Sequence, residues 1–335
     1  MRGVLMVNLG TPDSPGRYDV YRYLKQFLLD KRVIDIPWIF RQLLVRGIIA
    51  PFRSGSSGKI YKKLWTKDGS PLKYYGYIVA DGVQKLLGDE YHVELAMRYQ
   101  NPSLDSAIDK LMKANVDEII VFPMFPQYAS ASTGSVFEEV MDIMGKKLAI
   151  PKIKIINSFC DDERVMNVFV KNAKKMNLED YEHFVFSFHG IPHSQLRKTD
   201  TNNHCLKNEN CCQTLTEKNR FCYSAQCYKS AQLIAKGLGL SEEQYTVSFQ
   251  SRLGPDKWTQ PPTPDTLEDL QEKGIQNVMI FSPAFVADCL ETTIEIGDEF
   301  HEEFMERGGE KLDLVESLND DPDWIKAITE IIKEA

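Results

Sequence analysis

Short apolar runs alternate with amphipathic stretches along this chain. Val4-Leu-Met-Val-Asn-Leu9 reads as a buried strand, and the turn cluster Gly10-Thr-Pro-Asp-Ser14 leads into a helix near Tyr18. A helix over about 72–87 precedes Tyr91–Ala96, which alternates into a second strand. A helix over about 103–114 then precedes a third strand, Glu118-Ile-Ile-Val-Phe122. A helix over about 135–144 and the strand Lys152–Ile156 close this set. The pattern then repeats: helix 161–176, strand 183–188, helix 224–238, strand 244–249, helix 264–273, strand 277–281, and a last helix over 322–334. Alternation this regular predicts an α/β chain built on parallel, doubly wound sheets. Two such units would leave a cleft between them, a common place for a small-molecule site.

Residues 33–52 break the rhythm. Their only charged residues are Asp35, Arg41 and Arg46. Two readings stay open: a buried helix, or an exposed apolar lip that touches a membrane surface or a flat apolar ligand. Ser54-Gly-Ser-Ser-Gly58 after it reads as a flexible loop, and Lys67-Asp-Gly-Ser-Pro71 as a turn.

At 335 residues the chain has room for two domains of ordinary size. A net charge of −8 argues against a nucleic-acid partner. A strand starts almost at once and no run of 18 uncharged apolar residues follows. The expectation is therefore a cytoplasmic protein with no secretory leader and no membrane span. Five of the seven cysteines crowd between 205 and 227, which points to a metal site.

Candidate chemistry gathers at strand ends. Beyond the strand 277–281, Asp288, Glu291, Glu295 and Glu299 recur at spacings of three, four and four. On a helix that lines up four carboxylates in one row, where each exposed like-charge pair costs roughly 0.2–0.5 kcal/mol. Such a row is either a solvated acidic face or a site for a divalent cation or a proton relay. His189 follows another strand and precedes Gly190, which lets a ligand approach the backbone. It is either a base or metal ligand, or a histidine that caps its loop.

Seven stretches in order resemble the ferrochelatases, which insert ferrous iron into a porphyrin in haem synthesis. They are Asn8-Leu-Gly-Thr-Pro12, Met97-Arg-Tyr99, Phe122-Pro-Met-Phe-Pro-Gln-Tyr128, Ser132-Thr-Gly134, Ser187-Phe-His-Gly-Ile-Pro192, Gln250-Ser-Arg-Leu-Gly-Pro255 with Trp258, and Phe285-Val-Ala-Asp-Cys-Leu-Glu-Thr292. The resemblance spans about 3–330. It implies two Rossmann-like domains, each a parallel sheet flanked by helices, with the active site in the cleft between them. The first would hold 1–157 plus a C-terminal helix at about 306–335. The second would hold 158–305, with a cysteine-rich insert at 199–223. It further implies His189 and Glu291 as catalytic groups that hold the substrate iron, and Glu295 and Glu299 as their continuation. Arg98, Tyr99, Trp258, Asp288, Ser132 and Thr133 would bind porphyrin. Where some members carry a second histidine this chain has Cys289.

Some members carry a [2Fe–2S] cluster, and the resemblance extends that cofactor to four of Cys205, Cys211, Cys212, Cys222 and Cys227. Structural zinc, free thiols or a disulfide are the alternatives. The implied partners are porphyrin and ferrous iron, with peripheral contact at an inner-membrane surface and a monomeric or homodimeric state. Two other functions remain open: a cobalt or nickel chelatase acting on a sirohydrochlorin-type ring, and a non-catalytic iron–sulfur or haem-binding sensor.

Overall fold

A computed structural model of the chain describes residues 1–208, 210–252 and 256–335. The chain forms two compact units. One comprises Met1–Phe125, Ser130–Asn157 and Ile325–Ala335; the other comprises Pro126–Ala129 and Ser158–Trp324.

The first unit contains β1 (Arg2–Gly10), α1 (Arg17–Leu29), α2 (Trp38–Leu43), α3 (Ala50–Leu64), α4 (Pro71–Leu87), β2 (Tyr91–Tyr99), α5 (Leu104–Lys113), β3 (Glu118–Pro123), α6 (Ser135–Met144) and β4 (Lys152–Ile155). Its four strands run in the order β2-β1-β3-β4, all parallel. The sheet is apolar because both faces are covered: Val4 to Val7 are wholly buried. Helix α5 shows how the helices attach. Ser103 accepts a hydrogen bond from the Ser106 amide at its N-terminus, and Leu104, Ala107, Ile108 and Leu111 bury one stripe. At the end of β1, Gly10 has φ +119°, and a Cβ there would lie 2.1 Å from the Tyr99 carbonyl oxygen. Only glycine fits that approach.

The stretch expected as a flexible loop at Ser54–Gly58 lies inside α3 instead. Its small residues let the helix close on its neighbours: Ser54 is buried, and a Cβ on Gly58 would come within 3.1 Å of the Pro15 carbonyl. Before α3, residues Leu44–Ile49 form a π-helical segment. One side of the apolar stretch around it is exposed: Trp38, Ile39, Phe40 and Leu43 are each more than 60% accessible, and Phe52 is 78% accessible, while Val45 and Ala50 are buried with Leu28.

The second unit contains α7 (Glu163–Ala173), β5 (His183–His189), α8 (His193–Thr199), α9 (Tyr223–Leu238), β6 (Tyr245–Gln250), α10 (Thr263–Glu272), β7 (Asn277–Phe281), α11 (His301–Glu306), β8 (Lys311–Leu314) and the start of α12 (Pro322–Glu334). Its sheet order, β6-β5-β7-β8, again parallel, repeats the first. Strand β8 lies in the stretch 306–335 expected with the first unit. It pairs with β7 from Asn277↔Lys311 to Ile280↔Leu314, so the segment that rejoins the first unit starts at Ile325.

The acidic segment expected as an α-helix is a π-helix, Leu290–Phe300, continued by α11. Two interleaved rows at a spacing of four decide which way it faces. Ile296, Phe300 and Phe304 are buried in a core with Val185, Val278 and Ile280. Each such side chain stabilises the packing by roughly 1.5–3 kcal/mol. Glu291, Glu295 and Glu299 sit one position before that row and so fall off the buried side.

Candidate active site

In the second sheet the chain passes from β5 outward to β6, then returns to the other side of β5 as β7. Such a reversal opens a crevice beyond the carboxyl ends of β5 and β7, where open parallel sheets hold ligands. His189 is the last residue of β5. The loop after β7 leads through Asp288 and Cys289 into the π-helix. The fold therefore delivers the histidine and the acidic row to one place.

The imidazole of His189 is oriented. Its Nδ1 donates to the Gly190 carbonyl oxygen at 2.6 Å. A carbonyl can only accept, so Nδ1 carries a proton, and in the neutral ring the lone pair sits on Nε2. Gly190 is pinned in turn: its amide donates to the Gln250 carbonyl at 2.8 Å. A Cβ there would press on that oxygen at 2.9 Å and on the Trp258 ring at 3.2 Å.

Glu295 is half-buried, and its Oε2 accepts from Ser251 Oγ and, at 3.2 Å, from Gln250 Nε2. Burial raises its pKa above the ordinary carboxylate value, and the nearby Glu291 charge raises it further. The hydrogen bond from Ser251, the closeness of His189 and the bond from Gln250 oppose the rise without reversing it. Glu291 and His189 are thus the charged neighbours that bear on Glu295. Gln250 also donates to the Glu291 carbonyl at 3.2 Å and accepts from Ser187 Oγ at 2.6 Å.

The other expected residues are placed less uniformly. Glu299 is exposed at the far end of the π-helix. Asp288 precedes the helix instead of lying on it, with its Oδ2 accepting from Asn319 Nδ2 at 3.1 Å. Trp258 is half-buried, bridged to Pro192, and its indole N–H has no partner among the described residues. The motif residues 253–255 lie outside the described residues.

Arg98 and Tyr99 belong to the first unit and are engaged there. Arg98 Nη2 meets Asp30 at 3.0 Å and Nη1 meets Glu139 at 3.1 Å, while Nε donates to Ser135 Oγ at 2.7 Å. Tyr99 is wholly buried and donates to Asp30 at 2.8 Å, so its ring offers no face to a macrocycle. Burial pushes the Asp30 carboxyl up. The Ser135 hydroxyl, the Arg32 amide, the Tyr99 hydroxyl and the Arg98 guanidinium overturn that, and its pKa is lowered. Ser132 and Thr133 sit in a short π-helical turn, Ser130–Gly134, before α6, where Thr133 is wholly buried.

The cysteines sort into two sets. Cys211 and Cys212 have their sulfurs 3.5 Å apart, and Cys212 and Cys222 are 3.9 Å apart. Cys205, Cys211 and Cys222 line a cavity of about 290 Å³ with Leu196, Asp200 and His204. Asp200 shapes this loop by accepting from the His204 and Cys205 amides, both at 2.7 Å. Cys222 caps α9, and its thiol is lowered to about 7, chiefly by its hydrogen bond with Cys212. Cys227 is instead wholly buried inside α9 and does not line the cavity. All seven cysteines are free. Among the described residues no three potential ligands are gathered around a single ion position.

Sequence reasoning quoted the Gln250–Ser251 stretch without giving either residue a role. The available signal was register: Gln250 pairs with His189 across β5 and β6. Ser251 adopts φ 64°, a left-handed conformation uncommon for a residue other than glycine.

A family model described as Ferrochelatase matches residues 1–335. A Legionella pneumophila (strain Lens) protein named Ferrochelatase is 42% identical over 333 residues, 99% of this chain and 99% of its own length. One of the same name from Coxiella burnetii (strain Dugway 5J108-111) is 40% identical over 335 residues, 99% of this chain and 93% of its own. Among solved structures, SirB from Bacillus subtilis with Fe3+ aligns with a TM-score of 0.58 at 11% identity, covering 99% of this chain and 94% of that one. CbiX, described as the terminal enzyme for biosynthesis of siroheme in denitrifying bacteria, aligns with a TM-score of 0.51 at 14% identity, covering 99% of each chain. These two likenesses carry the fold alone.

Proposed function

The chain belongs to the ferrochelatase family, and from that premise we propose that it inserts ferrous iron into a porphyrin to make haem through the group His189, Glu291 and Glu295. The reaction consumes one Fe2+ and a porphyrin bearing two pyrrole N–H groups, and releases haem and two protons. It therefore needs an acceptor for protons and a place where a dication can shed water.

The observation that carries the assignment is the asymmetry of this group. With Nδ1 held by the Gly190 carbonyl, the neutral His189 ring offers Nε2, which suits it to accept a pyrrole proton. The Glu291 carboxylate disfavours the charge on Glu295, and among the described residues no lysine or arginine is a main influence on Glu295. An arriving Fe2+ relieves that repulsion, so the carboxylates draw the metal in while the imidazole handles the proton. Glu299, exposed at the helix end, stands where iron would first meet the row. Trp258, beside Gly190, supplies an aromatic wall next to the base.

The test is an anaerobic insertion assay with Fe2+ and either protoporphyrin or coproporphyrin, with cobalt and a sirohydrochlorin as control. We expect a haem spectrum, a His189→Ala variant with kcat lowered at saturating iron, and a Glu291→Gln variant whose main defect is a raised KM for iron. A folded protein that metallates the sirohydrochlorin alone, or a His189→Ala variant at parental kcat, overturns the reading.

Two finer features belong to the same proposal. First, Cys205, Cys211, Cys212 and Cys222 fit a [2Fe–2S] cluster. The Cys212 sulfur lies 3.5 Å from that of Cys211 and 3.9 Å from that of Cys222, and Cys205 lines the same cavity as Cys211 and Cys222, so four thiols, the number such a cluster requires, belong to one loop. When bound, such a cluster supplies a cross-link within the insert and a one-electron couple. Second, the exposed lip contacts an anionic membrane surface. Residues 31–67 hold nine lysines and arginines against one aspartate, in a chain whose net charge is −8. No helix among the described residues is long and apolar enough to cross a membrane, so the contact is peripheral.

A further inference from the structure

The cysteine-rich loop and the reacting histidine meet at one side chain. Cys222 caps α9, and the next residue, Tyr223, is its first helical residue. Tyr223 is buried, and its hydroxyl donates to the His189 carbonyl oxygen at 2.8 Å. The following amide, that of Gly190, donates to the Gln250 carbonyl at 2.8 Å. Both ends of the His189–Gly190 peptide plane are therefore held, one by α9 and the other by β6. The next carbonyl, on Gly190, is the acceptor that fixes the imidazole through Nδ1. A peptide plane free to tilt would swing that carbonyl and release the ring.

Cys222 is not anchored by α9 alone. Its amide donates to the Asn219 carbonyl at 2.7 Å and its sulfur contacts Cys212. Asn219 in turn donates from its side chain to the Cys211 and Thr214 carbonyls at 3.1 and 2.9 Å. Cys222, the residue before Tyr223, is thus tied to Asn219, and through it to Cys211 and Thr214 of the cysteine loop.

We propose that Tyr223 is a positioning residue through which the state of the cysteine loop sets the orientation of the His189 imidazole. Closing the loop around a metal group holds Cys222, Cys222 holds the first turn of α9, and Tyr223 holds the peptide that selects the Nε2-reactive tautomer. An opened loop leaves the histidine in place with its ring less firmly oriented. The inference rests on the reading of His189 as the working base.

The test pairs Tyr223→Phe with Cys222→Ala, singly and together, in the full chain purified with its metal content measured. The first readout is the ¹⁵N spectrum of the His189 ring, which distinguishes the Nδ1-protonated tautomer from a mixture. The second is the split between kcat and porphyrin KM. We expect Tyr223→Phe to keep its metal, to convert the single tautomer into a mixture, and to lower kcat roughly three- to tenfold with KM unchanged, the effect of losing about one hydrogen bond. Cys222→Ala alone should give the same mixture, and the double variant should add nothing further. An unchanged His189 spectrum in Tyr223→Phe, or fully additive effects in the double variant, overturns the proposal. Should Tyr223→Phe fail to fold, Cys222→Ala decides through the same signal: a parental spectrum after metal loss refutes the coupling. If His189→Ala retains full activity, the reading of the base fails; if His189→Ala is inactive while the Tyr223→Phe spectrum is parental, only the coupling fails.

Discussion

Replacing Arg98 by methionine separates two roles for that residue. Resemblance to the family implies contact with porphyrin, whereas the structure surrounds its guanidinium with Asp30, Glu139 and Ser135. The Arg98 and Asp30 side chains are 12% and 5% exposed, so their ion pair is a buried one. Removing one partner of such a pair costs about 3–5 kcal/mol, because the remaining charge stays desolvated. For a unit of this size that lowers Tm by roughly 10 °C. The pH dependence has a definite sign. Asp30 has a lowered pKa in the folded protein. Its contribution is therefore present above its unfolded value, about 3.9, and is lost as pH falls through the folded value. In Arg98→Met the buried carboxyl loses its guanidinium, so the gap between variant and parent should be widest near pH 7 and should narrow below about pH 4. Urea denaturation at pH 7 and pH 4, with porphyrin KM measured at a temperature where both proteins are folded, gives the answer. A loss under 1 kcal/mol at pH 7 together with a tenfold rise in porphyrin KM would refute the argument and return Arg98 to the substrate.

Three further outcomes follow from the same geometry. Glu295→Gln should be more stable than the parent at pH 8, by up to about 1 kcal/mol, and equal to it near pH 4, since a raised carboxylate pKa contributes stability only below that range; denaturation at the two pH values checks this, and insertion activity should fall. Cys205→Ser should lose bound iron and any visible absorbance, whereas Cys227→Ala should keep both, because its thiol is wholly buried in α9 and does not line the cysteine cavity; metal analysis of each purified variant decides. Phe40→Glu with Phe52→Glu should cut binding to anionic vesicles at least tenfold in a flotation assay, with no change in circular dichroism and none in binding to neutral vesicles.

The alternation of strands and helices was legible in the sequence because both sheets are buried on both faces, which writes each central strand as a plain apolar run. What misled was local. Ser54–Gly58 has loop composition, yet its small residues serve close packing along a helix, a use that depends on the neighbour and not on the segment. Strand β8 is four residues long with alternating charge, so nothing in Lys311–Leu314 announces a strand until β7 is there to pair with it. The acidic row was legible as a spacing, but the exclusion of Asp288 from the helix was not, since it depends on how Cys289 and Thr292 cap the helix start. Tyr223 was invisible for the same reason: its partner is a backbone carbonyl 34 residues away.

The two units share one strand order and one device, a π-helical segment after the third strand, yet they treat charge differently. In the first unit the carboxylate near that position, Asp30, is met by a guanidinium, two hydroxyls and an amide, and its pKa is lowered. In the second, Glu295 is left with a second carboxylate, an imidazole and two neutral donors, and its pKa is raised. A compensated carboxylate is stabilising and inert, whereas an uncompensated one is a standing cost that a dication or a proton removes. Scaffold alone cannot tell a structural network from a reactive group, since both units offer the same strand-end position. The presence of Arg98 in one, and the want of any such cation among the described residues that chiefly influence Glu295 in the other, does. A guanidinium placed beside Glu295, for instance by Ser251→Arg, should therefore lower the Glu295 pKa and weaken Fe2+ capture while leaving the fold intact. Iron affinity that survives a demonstrably lowered pKa would show that the carboxylates do not work through their uncompensated charge.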